Sequence, residues 1–178
     1  DLCDLSANGQ EGADIDNLDC PDNGTVSLRV TGSRFYGNSF EGLDADLAAA
    51  VGAVGTGTFD VFVENCQFER NGLDGLLLDQ EHELFPGFAA TIVVRGCVAR
   101  GNRAAGVHID ADARASYQLE RLRCTANAGD GVLITSETNA GEVVLATSWL
   151  GGNLGAGARV ANGNKVLLAS HCVFTGNQ

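Results

Sequence analysis

The sequence predicts an all-β fold: a right-handed parallel β-helix, a single-stranded solenoid of about six to seven coils with three short strands per coil, forming one domain over residues 1–178. Two observations carry this. Asparagine followed four residues later by glycine occurs at Asn8/Gly12, Asn38/Gly42, Asn71/Gly75, Asn102/Gly106, Asn127/Gly131 and Asn153/Gly157, and Asn177 stands where a seventh pair would begin. Successive asparagines are 30, 33, 31, 25, 26 and 24 residues apart, the size of one coil plus a loop of variable length. The second observation is that the apolar positions lock to the same phase, so equivalent residues of successive coils form ladders. No window shows the apolar spacing of about 3.6 that a helical solenoid needs.

Each coil begins with a strand whose inward pairs are Leu28/Val30, Val61/Val63, Ile92/Val94, Tyr117/Leu119, Val143/Leu145 and Leu167/Ala169. More polar residues alternate with them, the period of two of a strand buried on one face. A short second strand precedes the asparagine. Five residues before it lie Cys3, Ser33, Cys66, Cys97, Leu122, Ser148 and Cys172, and three before it lie Leu5, Phe35, Phe68, Ala99, Cys124, Leu150 and Phe174. The third strand follows the glycine and turns Ala13/Ile15, Leu43/Ala45, Leu76/Leu78, Val107/Ile109, Val132/Ile134 and Ala158/Val160 inward. The asparagine can bond its own turn and its equivalents above and below, and the glycine permits a sharp corner. The variable loop comes after the third strand. Residues 46–60 and 79–90 form the long ones, and Leu47, Val51, Val54, Leu84, Phe85 and Phe88 are expected to cover one flank of the coils.

The formal charge of −12 sets aside nucleic acid as a partner, because affinity for phosphate backbones comes from clustered Lys and Arg. No apolar run approaches the roughly 18 residues of a membrane span. The lack of methionine and the start at Asp1 suit a processed, exported chain or a segment of a longer one, so the expected location is extracellular or cell-surface. Cys3, Cys66, Cys97 and Cys172 share one inward column and Cys124 another, which reads as small buried hydrophobes rather than ligands. Cys20 falls outside the ladders, in the first inter-strand loop, and Cys3 to Cys20 is the one disulfide to entertain. Of His82, His108 and His171, only His108 has a phase of interest.

That phase belongs to an acidic stripe. The outward positions of the post-glycine strand read Asp14, Asp44, Leu77, His108, Leu133, Arg159 in one column and Asp16, Asp46, Asp79, Asp110, Thr135, Ala161 in the next. Four consecutive coils place an aspartate at one point, about 4.8 Å apart. Ionised carboxylates so placed repel unless solvent, a cation or protonation relieves them. Two readings stay open. Asp16, Asp46, Asp79 and Asp110 can bind Ca²⁺, which takes about six to eight oxygen ligands, or serve acid–base chemistry. Alternatively they form a solubilising stripe at a strand end, where aspartate also starts turns.

The Asn-x-x-x-Gly-apolar-x-apolar signature resembles the right-handed parallel β-helix repeat family, the pectate-lyase-like superfamily, over essentially the whole chain. Within it, Asn71-Gly72-Leu73-Asp74-Gly75-Leu76-Leu77-Leu78-Asp79 is similar to repeats of mannuronan epimerases, secreted enzymes that act on alginate with calcium. Glu41-Gly42-Leu43-Asp44-Ala45-Asp46 falls where those enzymes carry Tyr-Gly-Phe-Asp-Pro-His, so the resemblance implies catalytic-strand roles for Asp44 and Asp79. The family's tyrosine and histidine are replaced by Glu41 and Asp46, and its Arg-His pair by Ala104-Ala105, so the motif is not retained. Polysaccharide lyases of this fold use Arg or Lys on acidic sugars, and Arg114 and Arg159 are the cations near this face. Hydrolases of the fold use aspartates with His and Arg, parts that Asp79, Asp110 and His108 can fill. Trp149 can stack a sugar ring or lie under a loop.

The two ends of the chain, at Cys3 and at Cys172, have nearly the same coil phase and neither reads as a cap. Uncapped coils either continue in a longer protein or stack end to end into a filament. The expectation is an extracellular, non-catalytic structural or surface module, possible partners being further copies or a polysaccharide. The alternatives are a polysaccharide-active enzyme (lyase, epimerase or hydrolase) and a calcium-dependent glycan adhesin.

Overall fold

A computed structural model describes residues 2–49, 55–79, 88–110, 114–135, 142–161 and 166–178. The described chain is all β, winding through three parallel sheets. A seven-stranded sheet of three-residue strands holds β1 (Asp4–Ser6), β4 (Arg34–Tyr36), β7 (Gln67–Glu69), β10 (Val98–Arg100), β13 (Arg123–Thr125), β16 (Trp149–Gly151) and β19 (Val173–Thr175). The post-glycine sheet holds β2 (Ala13–Cys20), β5 (Leu43–Ala49), β8 (Leu76–Asp79), β11 (Val107–Asp110), β14 (Val132–Thr135) and β17 (Ala158–Ala161). The third holds β3 (Gly24–Thr31), β6 (Gly57–Glu64), β9 (Phe88–Arg95), β12 (Arg114–Glu120), β15 (Glu142–Ala146) and β18 (Val166–Ser170). Every strand pairs with its equivalent one coil away, as the fixed phase requires.

The inward ladders fill the space between the sheets. Phe35 and Phe68 stack with ring centres 5.0 Å apart, and Phe59 lies 6.3 Å from Phe88. On the outer face of the third sheet, Arg29, Glu64, Arg95 and Glu120 form an alternating chain of ion pairs across four coils, at 3.3, 3.7 and 3.1 Å.

An unbroken amide ladder runs up the corner after the short strands. Each asparagine side-chain nitrogen donates to the Oδ1 of the next, from Asn8 through Asn38, Asn71, Asn102, Asn127 and Asn153 to Asn177. The same Oδ1 also accepts the backbone N–H of the preceding asparagine, as Asn102 does from Asn71 at 3.0 Å. The glycine after this ladder is there for space. A Cβ on Gly75 would lie 2.5 Å from the Gly106 carbonyl oxygen and 2.7 Å from Asn102 Nδ2. The sharp left-handed turns fall elsewhere: φ is positive at the residue before the asparagine, as at Gly37, Arg70 and Gly101, and at the residue six before it, as at Gly32, Asn65 and Gly96.

Several expectations are corrected. Leu47 and Phe88 are strand residues of β5 and β9, fully buried in the core rather than loop covers. Val51, Val54, Leu84, Phe85 and His82 lie outside the described residues. Cys20 ends β2 and points into the core, where its thiol faces the carbonyls of Pro21, Gly24 and Thr58. Cys3 is exposed just before β1, and neither cysteine is in a disulfide, so the Cys3–Cys20 bridge is absent. Cys66, Cys97 and Cys124 are buried as expected, and burial pushes the Cys124 thiol up to about 12. Cys3 and Phe174 sit in the inward phase but are exposed, because each terminal rung has a neighbour on one side only.

Candidate functional site

The post-glycine sheet places the acidic residues as the repeat phase dictates. Asp14, Asp44, Leu77, His108, Leu133 and Arg159 are successive register partners in one outward column. In the next column Asp46 pairs with Asp79, and Asp110 with Thr135. Asp16 departs from this order. The register shifts between Ile15 and Leu18, so β2 carries one residue more than β5 there, and Asp16 has no single partner rung.

A third acidic column went unread in the sequence, although its signal is simple: the residue just before the repeat glycine is Glu11, Glu41, Asp74 and Asp130 in four coils and Ala105 and Ala156 in two. Where an acid is followed by alanine one coil on, it bonds forward. Asp74 Oδ1 accepts the Ala105 N–H at 2.5 Å, while Oδ2 pairs with His108 Nδ1 at 3.2 Å. Asp130 does the same one repeat pair later. Its Oδ1 accepts the Ala156 N–H at 2.6 Å and its Oδ2 takes Arg159 Nε and Nη2 at 2.7 and 2.6 Å. The other nitrogen of His108, Nε2, meets Thr135 Oγ1 at 3.2 Å. Burial of the imidazole opposes its charge, but the hydrogen bond and charge of Asp74, reinforced by Asp110 and Asp79, raise its pKa overall.

Where acid follows acid the chemistry reverses. Asp44 lies among Asp46, Glu41, Asp14 and Asp79, and burial together with their charges pushes its carboxyl up to about 7. Its Oδ1 is shut off from solvent and has no hydrogen-bond partner among the described residues. Burial, then the charges of Asp74, Glu11 and Asp14, raise Glu41 as well, against a backbone hydrogen bond that lowers it. Asp14 is raised by desolvation and by Asp16 and Glu11.

The face thus brings Asp44, Asp79, Asp110 and His108 onto one surface, with Leu77 as the rung between Asp44 and His108. Two rungs span roughly 10 Å. Arg159 joins the face only as the partner of Asp130. The side chain of Arg114 lies outside the described residues. Trp149 is on the short-strand sheet, away from this face, half exposed and with the Arg123 guanidinium 5.3 Å from its ring centre. Among the described residues, no three His, Cys, Asp or Glu converge as a metal centre.

No helix among the described residues is long and apolar enough to cross a membrane. No curated protein and no solved structure matches the chain. Residues 2–140 match the family model described as right handed beta helix region, and the stacked parallel sheets agree with it. With most of its length matched and its coils so arranged, the chain belongs to the right-handed β-helix family.

Proposed function

We propose that the chain is a non-catalytic structural module of an extracellular or cell-surface protein, in which the acidic face serves solubility and coil-to-coil bonding. The observation that supports this is the state of His108. Both ring nitrogens are engaged, by Asp74 and by Thr135, which leaves no free nitrogen to move a substrate proton. Arg159, the other group suited to holding an acidic sugar, is bound by Asp130. The test is incubation of the protein with a panel of uronic-acid polymers, following unsaturated products and uronate composition. No change is expected, and turnover that disappears on Asp44→Asn would overturn the proposal.

One observation favours a second reading, a polysaccharide lyase, epimerase or hydrolase. A carboxyl that burial and neighbouring acids push up to about 7, with one of its own oxygens buried and without a partner among the described residues, is the kind of group that acid–base catalysis uses, and Asp44 is such a group. The same polymer panel decides it. Calcium on the Asp46 and Asp79 rungs belongs with this reading, and titration of calcium chloride into EDTA-treated protein would raise Tm, since a ligand of the folded state alone stabilises it.

A further inference from the structure

Nearly half of the basic residues of this acidic chain are gathered on one side. Five of its 11 basic residues, Arg34, Arg70, Arg100, Arg103 and Arg123, stand on the outer face of the short-strand sheet or at the corner that follows it, on four successive coils. A shallow hollow of about 470 Å³ there is lined by Arg34, Tyr36, Glu69, Arg70 and Arg100. A second, of about 430 Å³, adjoins it at Arg70 and reaches Arg103. Tyr36 organises the first. Arg34 and Arg70 lie 4.5 and 5.7 Å from its ring centre, and Arg70 Nη1 donates to its hydroxyl at 2.9 Å. The tyrosine thus orients the Arg70 guanidinium without neutralising it. Glu69 and the Asp4 partner of Arg34, at 3.7 Å, offset part of the charge. Arg100 and Arg103 are exposed and have no side-chain hydrogen bond or ion pair among the described residues.

We propose that this arginine face docks the acidic face of a second copy of the chain, side by side. The argument is one of charge and pitch together. Arginines occupy four successive rungs of the short-strand sheet, and Asp14, Asp44, Asp46, Asp79 and Asp110 occupy four successive rungs of the post-glycine sheet. Coil stacking sets both ladders, so both repeat at about 4.8 Å. Two parallel copies therefore meet rung for rung, whereas another polyanion fits only if its charges share that spacing. The opposed faces are different patches, so the contact is heterologous and propagates sideways. At physiological salt the screening length is about 8 Å, and each face acts largely by itself despite the net charge. This contact is distinct from end-to-end stacking and goes beyond the scaffold reading, which stands whether or not it forms.

Sedimentation of the whole chain across micromolar to sub-millimolar concentration tests it. Association should appear at roughly 0.02 M salt and weaken at least about tenfold at 0.5 M, where screening is far shorter. Arg70→Gly, Arg100→Thr and Arg103→Ala, combined, install the residues that the next coil already carries at Gly101, Thr125 and Ala128, so the fold accepts them and association should be lost. Charge exchange supplies the second arm: Arg100→Glu/Arg103→Glu and Asp79→Lys/Asp110→Lys chains, altered at the same level of the two ladders, should each associate at least about tenfold more weakly alone, and recover when mixed. A wild-type chain monomeric throughout, association indifferent to salt or to the arginine changes, or a mixture that fails to recover overturns the proposal. Salt-indifferent growth would instead mark end stacking.

Discussion

Burial takes water from the Asp44 carboxyl and the surrounding acids supply charge of the wrong sign, so Asp44 favours the fold only while protonated. Its contribution is complete below its ordinary pKa of 3.8 and is lost as pH rises through about 7. Asp44→Asn should therefore change little at pH 4 and stabilise the protein at pH 8 by about 1 kcal/mol, discounted because the residue is only partly buried. A thermal melt at both pH values checks this. A variant less stable than wild type at pH 8 would show that the ionised carboxylate has a stabilising partner. His108 shifts upward through an attractive partner instead, yet the linkage has the same sign. Its bond to Asp74 contributes fully below the unfolded histidine pKa of about 6.5 and fades as pH climbs through the raised folded value. His108→Ala should thus cost roughly 1–2 kcal/mol at pH 5.5 and about half that at pH 8.5. Equal losses at both pH values would remove the charge from the explanation.

At the scale of the element, the asparagine ladder and its glycine act as one device. Asn102 Oδ1 accepts the backbone and side-chain N–H groups of Asn71, and its own Nδ2 donates to Phe68 O at 3.0 Å and to Asn127 Oδ1 at 3.1 Å. All of this is buried, so Asn102→Ala strands several polar groups at once and should cost about 3–5 kcal/mol in denaturant unfolding. Gly75→Ala drives a methyl against the backbone of the next coil, which cannot yield as a side-chain tip would, and a loss of similar size is expected. A cost under about 1 kcal/mol for either change would mean that adjacent coils are looser than the ladder implies. This device was legible in the sequence because its period is that of the coil. The acid before the glycine was just as periodic but passed unread, since its partners, Ala105 and His108 for Asp74, lie about 30 residues ahead and are chosen by the neighbouring coil. The bulge that displaces Asp16 was hidden for a related reason: one extra residue in β2 leaves the inward alternation of Ala13 and Ile15 intact.

Across the whole molecule, phase was enough to read the fold and the faces of the ladder residues, but neither the burial of Leu47, Phe88 and Cys20 nor the pairing between faces was legible in it. The arginine face shows this. Arg34, Arg70, Arg100, Arg103 and Arg123 occupy four different positions of the repeat, so no single column announces them and only the folded short-strand sheet brings them together. The same architecture fixes how stability is distributed. Each coil touches only the coils above and below, so the free energy of a rung is close to the sum of its own terms and two interfaces, and a terminal rung has one interface. Ile92, Tyr117 and Leu119 are fully buried in the middle, while Val173 and Phe174 in the last rung are half exposed. Native-state hydrogen exchange on the 178-residue chain should therefore show protection rising from both ends toward β9 and β12, with the β1 and β19 amides opening at the lowest free energy. Joining a further coil after Gln178 should raise protection in β19 toward that of its inner neighbours. Uniform protection along the chain would instead require one all-or-none unit, in which coupling between coils far exceeds what a single buried interface can supply.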